Sequence, residues 1–367
     1  MISQVVCLAK NSKYLIINRL SSTNYWMFFN KNYYFSEVYQ GLVKNYTVRK
    51  YQPSDYALWN DFISQAKNAT FLFHRDFMEY HKDRFEDYSL LVFEDEKLMA
   101  VLPANKVNDT IHSHQGLTYG GMLSSEKMKL KTSLPLFKSI LFFLNQSGIE
   151  KLFLKELPAF YASKASDEMR YFMFLTEARL YRRDLLSVLD LSQELKLSKD
   201  RRDGIKRGVK NNLIVQETDD FTSFWNEILI PNLAQKHGTK PVHTLAEIKL
   251  LQSKFPQNIR QFNVYHEGEI VAGTTIFETE TVAHSQYISS NYAKNELGSL
   301  DFLHYKLITE VFHSKKYFDF GISNENQGRN VNAGLSYWKE SFGSGFVSQD
   351  FFEVATLNYS KLDNVLV

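Results

Sequence analysis

The densest run of side chains able to do chemistry lies between Ala283 and Tyr292, where His284, Gln286, Tyr287, Ser289, Ser290 and Asn291 follow one another in a segment with the alternation of a strand. A period of two predicts His284, Gln286 and Ile288 on one face and Ser285, Tyr287 and Ser289 on the other. A core-facing strand carries so many polar groups only where they face a pocket; otherwise it is an edge strand turned to water. Histidine titrates near neutral pH, so His284 has the chemistry of a proton relay. Asp319 ends a second apolar run, YFDFG, ahead of Gly321, which permits a sharp turn. A carboxylate there either caps that turn or acts as a base. The polar loop after it holds Asn324, Asn326 and Arg329, suited to a sugar or a phosphate, or simply solvated.

Other candidates sit in turns. KHGTKPVHT carries His237, Lys240 and His243 around Gly238 and Pro241, with Thr244 as an alternative role for the segment, that of a helix cap. Gly298 and Ser299 stand where a helix opens and can offer backbone N–H groups. HSHQGLTYGGML contains His112, His114, Gln115 and Tyr119 among Gly116, Gly120 and Gly121, which either admit a close backbone approach or serve a tight turn. Lys196 to Lys210 carries seven basic and two acidic residues. That reads as a solvated linker helix or as a contact for a polyanion such as tRNA or a nucleotide-sugar diphosphate. No carboxylate or cysteine stands at ligand spacing beside these histidines, so no metal is expected.

The elements that must position these residues occur twice. Leu90 to Ala104 and Phe262 to Glu278 each read as an apolar strand, an acidic turn and a second apolar strand. Val92 precedes Ala100 by the same interval as Val264 precedes Ala272. A helix bearing a Trp-Asn pair precedes each hairpin, Trp59-Asn60 and Trp225-Asn226, and a second helix follows it, near 73–84 and 244–254. After each hairpin come a third strand (110–118 and 281–289), an amphipathic helix (134–145 and 300–313) and a short apolar strand. The expected fold class is therefore mixed α/β: two tandem units, each a mostly antiparallel sheet flanked by helices. The expected boundaries are an extension over 1–46, a first unit over 47–195 and a second over 196–367.

Bulk composition bounds the function. A chain of 367 residues is long enough for two cores. Its net charge of +2 gives no general affinity for nucleic acid, and no DNA partner is expected. Cys7 is its single cysteine, which excludes an internal disulfide and fits a reducing, cytoplasmic setting. No apolar run approaches the roughly 18–20 residues of a spanning helix, and the N-terminus lacks the pattern of a secretion signal.

Three stretches carry a family resemblance. LSKDRRDGIKRGVKNNLIVQE resembles the basic helix ahead of the second domain in Fem-type peptidyltransferases, KKYFDFGISNENQGRN resembles the Asp-Phe-Gly strand end of that domain, and GLSYWKESFGSG resembles its Tyr-x-Phe-Lys-x-x-Phe-Gly element. The whole order of elements is similar to tandem GNAT-fold acyltransferases over about residues 47–355. The resemblance implies transfer of an acyl group to an amine. The donor would be acyl-CoA (acetyl-CoA) as a co-substrate, and the acceptor an amino sugar of a surface polysaccharide precursor in the cell envelope. The alternatives are a Fem-type transferase using aminoacyl-tRNA and a non-catalytic binding protein on the same fold. It also implies that Lys339 lies at the active site, where its charge would stabilise donor phosphate or the oxyanion; an ordinary surface lysine is the other reading. By the same resemblance His284 or Asp319 relays the proton. Ser289, Ser290, Asn291, Gly298 and Ser299 hold the donor, although Asn295 to Leu300 lacks the glycine pair and basic residue of the usual phosphate loop. The acceptor would be lined by His237, Lys240, His243, Tyr287, Asn326 and Arg329, with Gln115 and Tyr119 from the first unit.

Overall fold

The computed structural model describes residues 46–367; the expected extension over 1–46 lies, but for its last residue, outside the described residues, as does the side chain of His237. The first half begins with β1 (Tyr46–Lys50) and helix α1 (Tyr56–Gln65). Short strands follow: β2 (Glu86–Asp87), β3 (Leu90–Glu94), β4 (Lys97–Leu102), β5 (Asn105–Val107), β6 (Thr110–His112) and β7 (Leu123–Ser124). It closes with α2 (Leu130–Gln146), β8 (Lys151–Lys155), α3 (Glu168–Leu175) and β9 (Arg179–Asp190). The second half opens with α4 (Lys199–Lys210), β10 (Ile214–Thr218), α5 (Ile230–His237) and α6 (Leu245–Lys254). It continues through β11 (Ile259–His266), β12 (Glu269–Glu278), β13 (Val282–Ser290), α7 (Ser299–Lys306) and β14 (Tyr317–Ile322). A small hairpin of β15 (Asn324–Glu325) and β16 (Asn330–Val331), then α8 (Ala333–Glu340) and β17 (Gly345–Ala355), complete it.

The duplicated hairpins match in register. Val92 faces Ala100 and Val264 faces Ala272, each pair directly across the two strands. The Trp-Asn pairs match too: Trp59 Nε1 donates to the carbonyl of Phe73 at 2.8 Å, and Trp225 Nε1 to that of His243 at 3.4 Å. Each indole is fully buried and pins the chain that leaves its helix.

Two sheets result. One has four strands in the order β1-β3-β4-β7, and the other has eleven, in the order β10-β11-β12-β13-β14-β9-β17-β8-β6-β5-β2. The centre of the long sheet is an exchange. β9, the last strand of the first half, pairs with β14 of the second, and β17, the last strand of the second half, pairs with β8 of the first. β9 and β17 also pair with each other over most of their length. One apolar cluster lies under each half, and a third joins them, packing Trp59, Phe73 and Phe77 with Trp225, Phe255 and Phe277. Phe71 is central to that seam, with its ring 5.4 Å from Phe255 and 5.6 Å from Phe277.

Three expectations need correction. The segment 110–118 is a strand only to His112, because residues 113–122 form a loop before β7 resumes pairing with β4. Only short helical turns occupy 71–81, with α-helix confined to Arg75–Met78. The alternation in β13 breaks as well. Thr275 faces Tyr287 and Ile276 faces Ser285, so Gln286 is the extra residue of a β-bulge.

Candidate functional site

β13 and β14 run parallel and pair over only three residues, Val282 to His284 against Tyr317 to Asp319, and then separate. The bulge at Gln286 turns β13 away on one side, and Gly321, at φ +72°, turns β14 on the other. The wedge between them opens into a cavity of about 640 Å³. His284, Ser285, Gln286 and Ile288 line one wall, and Phe320, Gly321, Ile322 and Lys339 another. The floor is Lys155, Arg182, Asp184, Gln349 and Phe351 from the exchanged strands and β8. Bulging lets Ser285 and Gln286, neighbours in sequence, both face the space.

His284 and Asp319 are register partners at the apex of the wedge. His284 Nδ1 lies 2.9 Å from Asp319 Oδ2. A carboxylate only accepts, so Nδ1 carries the proton and Nε2 is left as a base. The Asp319 side chain is fully buried, which by itself pushes its pKa up. His284, the Tyr161 hydroxyl at 2.7 Å and the Gly321 N–H at 2.7 Å outweigh that burial and hold the carboxyl below its ordinary range. Asp319 thus both caps the turn at Gly321 and orients His284. Tyr161, from the first half, is itself pushed far up by burial and by Asp319, and remains a phenol donor.

Lys339 reaches the same place from α8. Asn332 caps that helix by accepting from the Leu335 N–H at 3.0 Å. The lysine is 2 % exposed, so it is no surface residue. Its Nζ donates to the carbonyls of Gly321 at 3.0 Å and Ile322 at 2.6 Å, which ties the helix to the end of β14. Burial lowers its pKa to about 8, against the pull of Asp319. Of its sequence neighbours, Phe342 is buried packing, Trp338 bonds Asp301 at 2.8 Å, and Tyr337 is exposed with its hydroxyl on Asp200.

His243 stands across the cavity, 5 % exposed, with Nδ1 2.6 Å from the Tyr287 hydroxyl, which also accepts the His243 N–H at 3.1 Å. Burial lowers His243 to about 4. Thr244, next to it, caps α6 in a capping box with Glu247. Tyr80 packs between His243 and His81, and His81 meets His114, so three buried histidines back this wall. His81 and His114 are lowered by burial to about 4 and about 3. Gln115 lines the cavity, held by Asn105; Tyr119 lies behind it on Thr70 at 2.9 Å.

The remaining expected residues lie elsewhere. Ser289 accepts from Asn232 at 2.8 Å, Ser290 is buried, and Asn291 caps the turn at Ala293. Lys240, Asn326 and Arg329 are exposed and do not line the cavity, and His237 is the last residue of α5. Lys155 and Arg182 were missed by sequence reasoning, since single basic residues in two strands carry no motif.

Acyl-CoA, which a GNAT fold implies, needs a helix N-terminus open to its pyrophosphate. The start of α7 does not fit one. α4 lies across it, and a Cβ at Gly298 would come 2.1 Å from the Gly204 carbonyl oxygen. Ser299 is fully buried there. Asp301 in the first turn already supplies a carboxylate, bonded to Arg201 and Trp338. Gly204 and Gly208 permit this close approach, while Lys199, Arg202, Lys206 and Lys210 face outward from α4. Among the described residues, no group of three or more His, Cys, Asp or Glu could hold a metal ion. No described helix is long and apolar enough to cross a membrane.

No protein-family model and no curated protein matches the chain. Solved structures do. The chain superposes on FemX with a TM-score of 0.63 at 10% identity, over 86% of this chain and 99% of that one. The L-PGS of Bacillus licheniformis gives 0.53 at 13% identity, over 85% and 94%. A tandem GNAT protein from the clavulanic acid biosynthesis pathway, solved without AcCoA, gives 0.51 at 12% identity, over 85% and 99%. At these identities the likeness is one of fold.

Proposed function

We propose that this chain, a Fem-like tandem GNAT fold, transfers an acyl or aminoacyl group to an amine in the wedge of its second half. The observation that carries the reading is the pair His284–Asp319 at the apex of an open cavity, with Lys339 of α8 held at the end of β14. An acceptor amine loses its proton to His284 Nε2 as it attacks the donor carbonyl. Asp319, held by Tyr161 and Gly321, stabilises the imidazolium that forms. The oxyanion is met by backbone N–H groups of β13 beyond the bulge and by the Lys339 ammonium. Collapse of the intermediate expels the carrier, and His284 returns the proton to it.

Of the two donors, the covered start of α7 favours an aminoacyl ester over acyl-CoA. The outward lysines and arginine of α4 suit a tRNA carrier. The acceptor, by the family resemblance, is an amine on an envelope precursor, an amino sugar or a cell-wall peptide. The test offers labelled aminoacyl-tRNA and acetyl-CoA to the wild-type protein, with amino-sugar and peptide amines as acceptors. Transfer from tRNA that His284→Ala abolishes supports the reading. Transfer from acetyl-CoA alone overturns the choice of donor, and transfer unchanged in His284→Ala overturns the site.

A further inference from the structure

The floor of the cavity holds two cations that the transfer step does not use. β8, β17 and β9 are adjacent, and their register sets Phe351 opposite both Lys155 and Arg182. Side chains directly across neighbouring strands share a face. The three residues therefore form one row, Lys155–Phe351–Arg182, and all three line the cavity. The Arg182 guanidinium lies 4.5 Å from the Phe351 ring centroid and Lys155 Nζ lies 5.8 Å from it. One aromatic ring thus lies within cation–π reach of both.

Their hydrogen bonding is incomplete in a telling way. Among the described residues, Lys155 Nζ donates to one acceptor, the Leu117 carbonyl at 2.6 Å, and makes no ion pair. An ammonium has three donors, so two remain for the cavity. Arg182 gives Nε and Nη2 to Asp184, at 3.0 and 2.6 Å, and keeps Nη1. Among the described residues, Asp184 balances one of the two charges and none pairs with the other. Burial and the neighbouring Arg182 accordingly lower Lys155 to about 8. Desolvating an unpaired cation is costly, and the cost is recovered when a ligand brings the missing negative charge. Gln349, next along the floor, spends its amide on the carbonyls of Thr118 and Glu156 and does not compete.

We infer that the Lys155–Phe351–Arg182 row is a binding site for a carboxylate or phosphate group, and that the acceptor amine of this chain is one that carries such an anion. The second half of that statement rests on the transfer reading; the anion site itself does not. The site exists only because the last strand of each half pairs with the other half within one sheet, bringing residues 155, 182 and 351 side by side.

The test is calorimetric titration of the full chain at pH 7 with inorganic phosphate and, separately, with acetate. We expect saturable binding of at least one, and the arm that binds names the anion. Lys155→Met and Arg182→Gln should each weaken it tenfold or more, while His284→Ala and the surface variant Lys164→Met leave it within twofold. Arg182 is 29 % exposed, so Arg182→Gln serves if Lys155→Met does not fold. Binding of neither anion, or binding undiminished in the Arg182 variant, overturns the inference. Anion binding by a protein that transfers nothing would leave the site standing and sink the transfer reading instead.

Discussion

The two halves of the chain hold equivalent residues at the wedge and do opposite things with them. In the first half β6 pairs in parallel with β8, and His112 faces Phe153; in the second, β13 pairs in parallel with β14, and His284 faces Asp319. His112 stacks flat on the Phe153 ring, 4.8 Å between centroids, where His284 bonds a carboxylate. The indole of the first half holds Phe73 where that of the second holds His243. Pro103 lacks an N–H and separates β4 from β5, whereas β12 runs unbroken past the matching position. In the first half Ser113 and Gly120 beyond β6 donate their N–H groups to the Phe153 and Lys155 carbonyls of β8, whereas a one-residue bulge leaves the second wedge open. The same frame can thus be closed with apolar contacts or left open with a polar apex. The difference lies in a few residues and one loop length, which is why chemistry is sought in one half only.

Exchanging residues between the halves should break this contrast. His284→Ala should lower transfer by about 10²–10⁴-fold, the range for loss of a general base, while His112→Ala leaves the rate within about twofold, a difference that steady-state assays would read. Asp319→Ala strands Tyr161 and His284, and urea unfolding should show a loss of about 3–5 kcal/mol. Lys339→Met should cost about 10²–10³ in kcat. With the lysine lowered to about 8, wild-type activity should fall as pH rises through that value, and Lys339→Arg should move that limb upward in a pH–rate profile. His243→Phe copies the first half. The folded pKa of His243 is about 4 against an unfolded value near 6.5, so its contribution is whole above pH 6.5 and is lost as pH falls toward 4. Unfolding at pH 7 and pH 5 should then show the variant losing about 2 kcal/mol less than wild type over that interval. Gly204→Ala would put a Cβ 1.8 Å from Asp301 Oδ2 and should cost about 1–3 kcal/mol, seen as a lower Tm.

Much of this was legible before any fold was drawn. Val92/Ala100 and Val264/Ala272 revealed the repeat because cross-strand partners in a tight hairpin must keep a fixed spacing. His284 stood out in a polar run on a strand and Asp319 as a carboxylate in an apolar one, while Lys339 came from the family resemblance alone. The bulge at Gln286 was not legible, since one extra residue in a strand leaves hydrophobic alternation almost intact. Nor was the row of Lys155, Phe351 and Arg182, whose members come from three strands far apart in sequence. Glycine weakens a helix, and the use of Gly204 and Gly208 in α4 is visible only against Asp301 and Phe302.

The crossing of β9 and β17 also governs how the protein can be made. β8 leaves the ribosome with one edge unpaired, and the strand that covers it, β17, follows every other strand of the second half. The first half therefore waits, with an open sheet edge, until β17 has emerged. A ribosome stalled after residue 300, or a protease cut between the halves, would leave each piece without the strand it borrows, and quality-control machinery would meet an aggregation-prone edge rather than a finished domain.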